Sequence, residues 1–145
     1  MRELPRQLTV EELEELFEGR TPLVERLAQI ENPLERADEL IASLSEEEKI
    51  AALNAHPAIG ARSLSARSAA EQGTEADPAI LSELTYQNQV YEEKFGFRFV
   101  VFVAGRPKRE ILAVLSERIG NTREEELETG LRELVAIARD RWTRT

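Results

Sequence analysis

Proton transfer near neutral pH suits an imidazole, the one side chain whose ordinary pKa lies there. The chain offers a single one, His56. It opens the run His56-Pro57-Ala58-Ile59-Gly60, just ahead of a helix-breaking proline and a flexible glycine. A polar cluster follows, Ser68-Ala69-Ala70-Glu71-Gln72. If that cluster is helical, positions 68, 71 and 72 share one face, which presents a hydroxyl, a carboxylate and an amide together. Such a set can hold a small molecule rich in N–H and C=O groups. An imidazole at a helix end, facing a carboxylate across a pocket, forms an acid–base pair. Both the helix C-terminus and the carboxylate favour the protonated ring. The plainer readings stay open at this point. A lone histidine after a helix is often a capping or surface residue, and Ser68-x-x-Glu71 also fits a capping box.

The elements that must position these residues read as helices almost throughout. Thr9-Val10-Glu11-Glu12 is a capping box ahead of Leu13, Leu16 and Phe17, with Gly19 as the stop. Thr21-Pro22 starts a second helix whose stripe is Leu23, Val24 and Leu27. Asn32-Pro33 repeats the device before Leu34, Ala37, Leu40, Ile41 and Leu44. Ser45-Glu46-Glu47-Glu48 caps a short helix through Ile50 and Leu53, which should end by Ala55 or His56 because Pro57 disfavours helical geometry before it. Asp77-Pro78 opens a longer helix ending at Gly96. Pro107 starts the next, and Thr122-Arg123-Glu124-Glu125 caps the last, in which Gly130 marks a close packing contact. Between them runs the apolar stretch Phe97 to Val103. Its propensity is strand-like, yet no second convincing strand exists to pair with it. It reads as a buried extended segment or as the entry to a helix. The expected architecture is all-α: one domain over residues 1–145, a bundle of about seven to nine helices with short connections.

Bulk properties narrow the function classes. The length suits one core, and 41% hydrophobic with 32% charged residues argues against disorder. No apolar stretch is long enough to span a bilayer, and Met1-Arg2-Glu3-Leu4-Pro5 lacks the apolar core of a secretion signal. A membrane role is therefore not expected, and the cytoplasm is. Cysteine is absent, which removes disulfides, thiol nucleophiles and thiolate metal sites. One histidine and no Asp-x-Asp-x-Asp-Gly loop point to no metal site. A net charge of −9 speaks against nucleic-acid binding.

Three runs taken together resemble a known family. They are His56-Pro57-x-x-Gly60, then Ser68-x-x-Glu71-Gln72, then Leu84-x-x-x-Asn88-x-x-Tyr91-x-x-Lys94-Phe95-Gly96-Phe97-x-Phe99-Val100. The tail, with Ile111-Leu112, Leu115, Arg118, Asn121 and a Glu-rich helix start, is similar too. Their order and spacing resemble the 2-oxo-4-hydroxy-4-carboxy-5-ureidoimidazoline (OHCU) decarboxylases over nearly the whole chain. The resemblance implies a carboxy-lyase that works without a cofactor. It would convert OHCU to (S)-allantoin, the last step of urate oxidation, as a cytoplasmic all-α homodimer.

It also implies roles. His56 would be the proton donor after CO₂ is lost, or would first deprotonate the substrate hydroxyl. Glu71 would complete the catalytic pair by holding ureido or ring N–H groups against His56. Ser68 and Gln72 would add polar contacts, and Pro57 would shape the wall. Phe99, Val100, Val101, Phe102 and Val103 would bring backbone N–H and C=O groups to the ring. Arg141 would meet the substrate carboxylate, with Arg62 and Arg67 as alternatives. Arg98 departs from the family's Phe-Gly-Phe-Pro-Phe pattern by replacing proline, and residues 73–77 depart from its Ala-Gly-Leu-like stretch. The alternative function is a non-catalytic helical module that binds a purine-derived ligand or a partner helix. A third is a structural dimerisation domain.

Overall fold

A computed structural model of the chain describes residues 3–58 and 77–144. Seven helices are present among them: α1 Val10–Phe17, α2 Pro22–Leu27, α3 Ala37–Ala42, α4 Glu46–Asn54, α5 Pro78–Phe95, α6 Lys108–Ile119 and α7 Arg123–Thr143. The described residues contain no strand, and none of these helices is long and apolar enough to cross a membrane.

The helix starts follow the cap chemistry. Thr9, Ser45 and Thr122 each form a full capping box, with Glu12, Glu48 and Glu125 returning a carboxylate to the cap N–H. Thr21 caps α2 with Pro22 at its first position, and Asp77 accepts from the Ala79 N–H to start α5. Asn32-Pro33 does not start a helix. Asn32 takes a left-handed φ of 53°, whereas an N-cap needs extended geometry. Residues 33–35 form a turn, and α3 begins at Ala37. Leu34 still reaches the core. The stop of α1 also shifts by one residue. Glu18, not Gly19, holds the left-handed cap (φ 64°). Gly19 is needed for space, because a Cβ there would lie 3.2 Å from the Ala55 Cβ.

Helix α7 is the spine, packing against α1, α3 and α4, while α2 closes the same group. Leu13, Phe17, Leu23, Val24, Leu27, Leu53 and Leu134 fill the space between them. Each such side chain contributes roughly 1.5–3 kcal/mol by leaving water. Gly130 allows α4 onto α7, since a Cβ there would sit 3.2 Å from a Leu53 methyl. Helices α5 and α6 pack on each other as a second unit. The Phe97–Val103 run is the seam between the two groups. It has no regular secondary structure, and Phe97, Phe99, Val100, Val101 and Val103 are buried. Phe95, Phe97 and Phe99 surround the Tyr91 ring, with centroids 4.6, 6.1 and 5.2 Å away.

Candidate active site

A buried segment outside helix and sheet must satisfy its backbone elsewhere. Here arginine and glutamate side chains do this. Arg118 Nη1 donates to the Val100 carbonyl at 2.8 Å. Arg106 donates to the Phe102 carbonyl at 2.6 Å and to the Val103 carbonyl at 3.0 Å. The Phe102 N–H donates to Glu133 on α7 at 3.3 Å. The run reverses direction at Ala104 and Gly105, with φ values of 52° and 74°, and the turn is closed by Arg106 N–H to Val103 O at 3.0 Å.

Arg118 is itself held by a buried network. Its Nε donates to Glu126 Oε1 at 2.7 Å, the Tyr91 hydroxyl donates to the same oxygen at 2.7 Å, and Asn121 donates to Oε2 at 2.9 Å. Glu126 is wholly buried and Arg118 nearly so. The guanidinium also lies 4.6 Å from the centre of the Phe99 ring. Burial, and then the hydrogen bond to Glu126, push the Tyr91 phenol well above its ordinary range. Lys94 binds the Ile119 and Asn121 carbonyls at the end of α6, where a cation complements the helix terminus. The Tyr91, Lys94, Arg118 and Asn121 positions that carried the resemblance are thus the frame that holds the seam.

His56 sits where α4 runs out. Ala55 is the C-cap, and the His56 N–H makes a final turn to the Leu53 carbonyl at 3.1 Å. Pro57 then stops the helix. The residue is buried, with 8% of its surface exposed. Two bonds tie this helix end to the seam. The Arg98 N–H donates to Asn54 Oδ1 at 3.0 Å, and Arg98 Nη1 donates to the His56 carbonyl at 2.8 Å.

The structure therefore brings the His56–Pro57 end of α4 to Arg98, in the segment that carries Phe99, Val100, Val101, Phe102 and Val103. Phe102 is the member of that group that is half-buried rather than buried. Ser68, Glu71 and Gln72 lie outside the described residues, as do Arg62 and Arg67. Arg141 is buried on α7 with its Nη1 3.1 Å from Glu18 and 3.3 Å from the Leu16 carbonyl. Glu18 precedes Gly19, which abuts Ala55, the neighbour of His56. Arg141 and His56 are thus linked by one short run of contacts across the ends of α1 and α4. A groove of about 500 Å³ opens elsewhere, over Ile41, Leu127 and Leu131, and none of the described site candidates lines it.

Sequence reasoning missed two features. The first is the set of side chains that clamp the seam, Arg106, Glu126 and Glu133. The signal was present as an apolar run with no strand partner, whose backbone groups required partners of another kind. The second is the link from Arg98 and Asn54 to His56, which no local pattern encodes.

The sequence profile of the OHCU decarboxylases matches residues 2–143. This chain belongs to the OHCU decarboxylase family. Within the family, it is 32% identical to a 2-oxo-4-hydroxy-4-carboxy-5-ureidoimidazoline decarboxylase of Haloferax volcanii, over 86% of this chain and 80% of that protein. It is 32% identical to a uric acid degradation bifunctional protein of a Bacillus strain, over 69% of this chain and 21% of that protein. The chain thus corresponds to about a fifth of the bifunctional relative. The fold is also that of a crystal structure of OHCU decarboxylase in the presence of (S)-allantoin. The TM-score is 0.77 at 24% identity, covering 92% of this chain and 96% of that one.

Proposed function

We propose that this chain removes CO₂ from OHCU to give (S)-allantoin, with His56 moving the proton. Loss of CO₂ leaves an electron pair on the ring carbon, which the carbonyl and imine system can delocalise. A proton must then arrive from one face for one enantiomer to form. The observation that carries the reading is the position of His56: buried, at a helix end that two hydrogen bonds tie to Arg98, one through the Asn54 side chain and one through the His56 carbonyl. A group held in this way can meet the reacting carbon in a fixed orientation. The names borne by the Haloferax and Bacillus relatives support the substrate and its place in urate degradation.

In this reading Glu71 orients the ureido or ring N–H groups, Ser68 and Gln72 add polar contacts, and Pro57 forms the wall. The backbone of Phe99 to Val103 borders the ring. Its carbonyls at Val100, Phe102 and Val103 already accept from arginines, so the remaining groups of the run are the proposed substrate contacts. Arg141, pre-oriented by Glu18 and the Leu16 carbonyl, is the proposed partner of the substrate carboxylate. The chain would act in the cytoplasm as a homodimer, a state that sedimentation of the purified protein tests directly.

The deciding experiment generates OHCU in place, from urate with urate oxidase and the hydrolase, and follows allantoin by circular dichroism. His56→Gln should fold and fail to accelerate formation of the (S) enantiomer above the slow spontaneous, racemic background. Parent-like turnover by that variant would refute the proposed role of His56.

A further inference from the structure

We infer that Arg98 is a positioning residue for His56, an inference that rests on the decarboxylase reading above. Residue 98 touches the end of α4 twice. Its N–H donates to the Asn54 side chain at 3.0 Å, and its guanidinium donates to the His56 carbonyl at 2.8 Å. A third contact comes from α5, where Glu92 lies 3.5 Å from Arg98 Nε. One side chain therefore joins the α4 end, the seam and α5.

The helix end explains why this matters. The last carbonyls of a helix have no partner within it, and Pro57 prevents α4 from continuing to supply one. The His56 carbonyl lies just beyond the C-cap Ala55, outside the helical ladder, and Arg98 satisfies it. Fixing that oxygen fixes the His56–Pro57 peptide plane. The backbone torsion of His56 is fixed with it, and so is the base from which the imidazole projects. A guanidinium suits the task because it can face a carbonyl and a carboxylate at once in a fixed plane, whereas an ammonium is a point charge. The departure from the family's proline gains a meaning here. Proline fixes the chain covalently but has neither an N–H nor a cation. This chain holds the same point with hydrogen bonds, and it couples that point to the imidazole. Only one third of the side chain is exposed (31%), which fits a bracing group better than a solvated one.

The chain's single histidine makes the test direct. In protein labelled with ¹³C-histidine, every imidazole signal belongs to His56. Arg98→Ala should displace and broaden that signal in the substrate-free protein, with the helical circular dichroism of the parent. It should lower kcat about 10- to 100-fold, as expected for a misplaced catalytic group, with KM near the parent value. Arg98→Lys should fall between the two. If Arg98→Ala does not fold, Arg98→Met keeps the apolar stem and carries the same readouts. An unchanged imidazole signal overturns the inference. If KM rises alongside that unchanged signal, Arg98 binds substrate directly. His56→Gln serves as the separate control. If it turns over like the parent, the proposed role of His56 fails, while the resonance of Arg98→Ala still reports whether Arg98 orders the ring.

Discussion

Removing the Glu126 carboxylate should unfold the seam from within. Glu126 is fully buried and accepts three hydrogen bonds, from Tyr91 and Arg118 at 2.7 Å each and from Asn121 at 2.9 Å. Glu126→Ala leaves the Arg118 guanidinium buried without its counter-charge and the Tyr91 hydroxyl without its acceptor. Breaking one side of a buried ion pair costs about 3–5 kcal/mol. These losses share one site and do not add, so that range is taken for the whole network. For a chain of this length it corresponds to a fall in melting temperature of roughly 10–20 °C. It is also a large share of the 5–15 kcal/mol that ordinarily holds a domain together.

Glu126→Gln keeps an acceptor for Tyr91 and Arg118 while losing the charge, and should cost less. The double variant Arg118→Met/Glu126→Leu replaces the pair with apolar groups of similar size. It should recover much of the stability. It should not recover turnover, because the Val100 carbonyl has then lost its donor and the segment beside the proposed substrate is no longer held. Thermal unfolding followed by circular dichroism gives the first quantity, and the coupled allantoin assay gives the second. If Glu126→Ala lies within about 1 kcal/mol of the parent, the network is not what holds the seam.

Three further outcomes are expected. Gly19→Ala should destabilise by about 1–2 kcal/mol, because its Cβ would press on Ala55 at 3.2 Å. It should also lower kcat through the adjacent His56, as thermal melts paired with turnover will show. Tyr91 ionises far less readily in the fold than at its ordinary 10.0, first through burial and then through its bond to Glu126. Its contribution is therefore complete below about pH 10 and is lost as pH rises beyond it. Tyr91→Phe should flatten that alkaline decline in urea midpoints measured from pH 8 to 11. At the acid end, the capping-box N–H groups of Ser45 and Thr122 hold the Glu48 and Glu125 carboxyls below their ordinary 4.5. That stabilisation is complete above about pH 4.5 and is lost as pH falls through the lowered values. Ser45→Ala and Thr122→Ala each remove a side-chain cap, for about 1 kcal/mol. Glu48→Gln and Glu125→Gln, which keep an acceptor for those N–H groups but cannot titrate, should each leave a shallower acid slope.

Features governed by neighbours in sequence were legible before any coordinates. The three capping boxes, the Thr21-Pro22 and Asp77-Pro78 starts and the Gly96 stop are local chemistry, and each stands where the residues implied. Asn32-Pro33 looked equivalent and was not, because asparagine tolerates the left-handed region as readily as it caps. Gly19 and Gly130 show a second kind of limit. Both are glycines for the sake of another helix, Gly19 for Ala55 and Gly130 for Leu53. The sequence reveals that a close approach is possible but not what approaches. The site divides in the same way. His56 was conspicuous because it is unique and precedes proline. Its link to Arg98 depends on two distant segments meeting, and the sequence marks Arg98 as a departure from a pattern rather than as a contact.

The arginines give this acidic chain its internal logic. Arg98, Arg106, Arg118, Arg123 and Arg141 all donate to main-chain carbonyls: those of His56, of Phe102 and Val103, of Val100, of Phe95 and of Leu16. Four of these clamps act on the seam or its flanks, and the fifth acts on the end of α1, beside the end of α4. A sheet would satisfy an extended run with a neighbouring strand, but that would bury both edges of the backbone in ladder bonds. Side-chain donors fix selected carbonyls and leave the rest of the edge free of a ladder. That is what a segment needs if its own N–H and C=O groups are to meet a small polar ring. Lys94 also holds two carbonyls, at the end of α6, but its ammonium is a point charge without the fixed planar fork of a guanidinium. The rigidity of the proposed site thus comes from guanidinium groups acting on the backbone, and His56 shares it because its own carbonyl is one of the groups they hold.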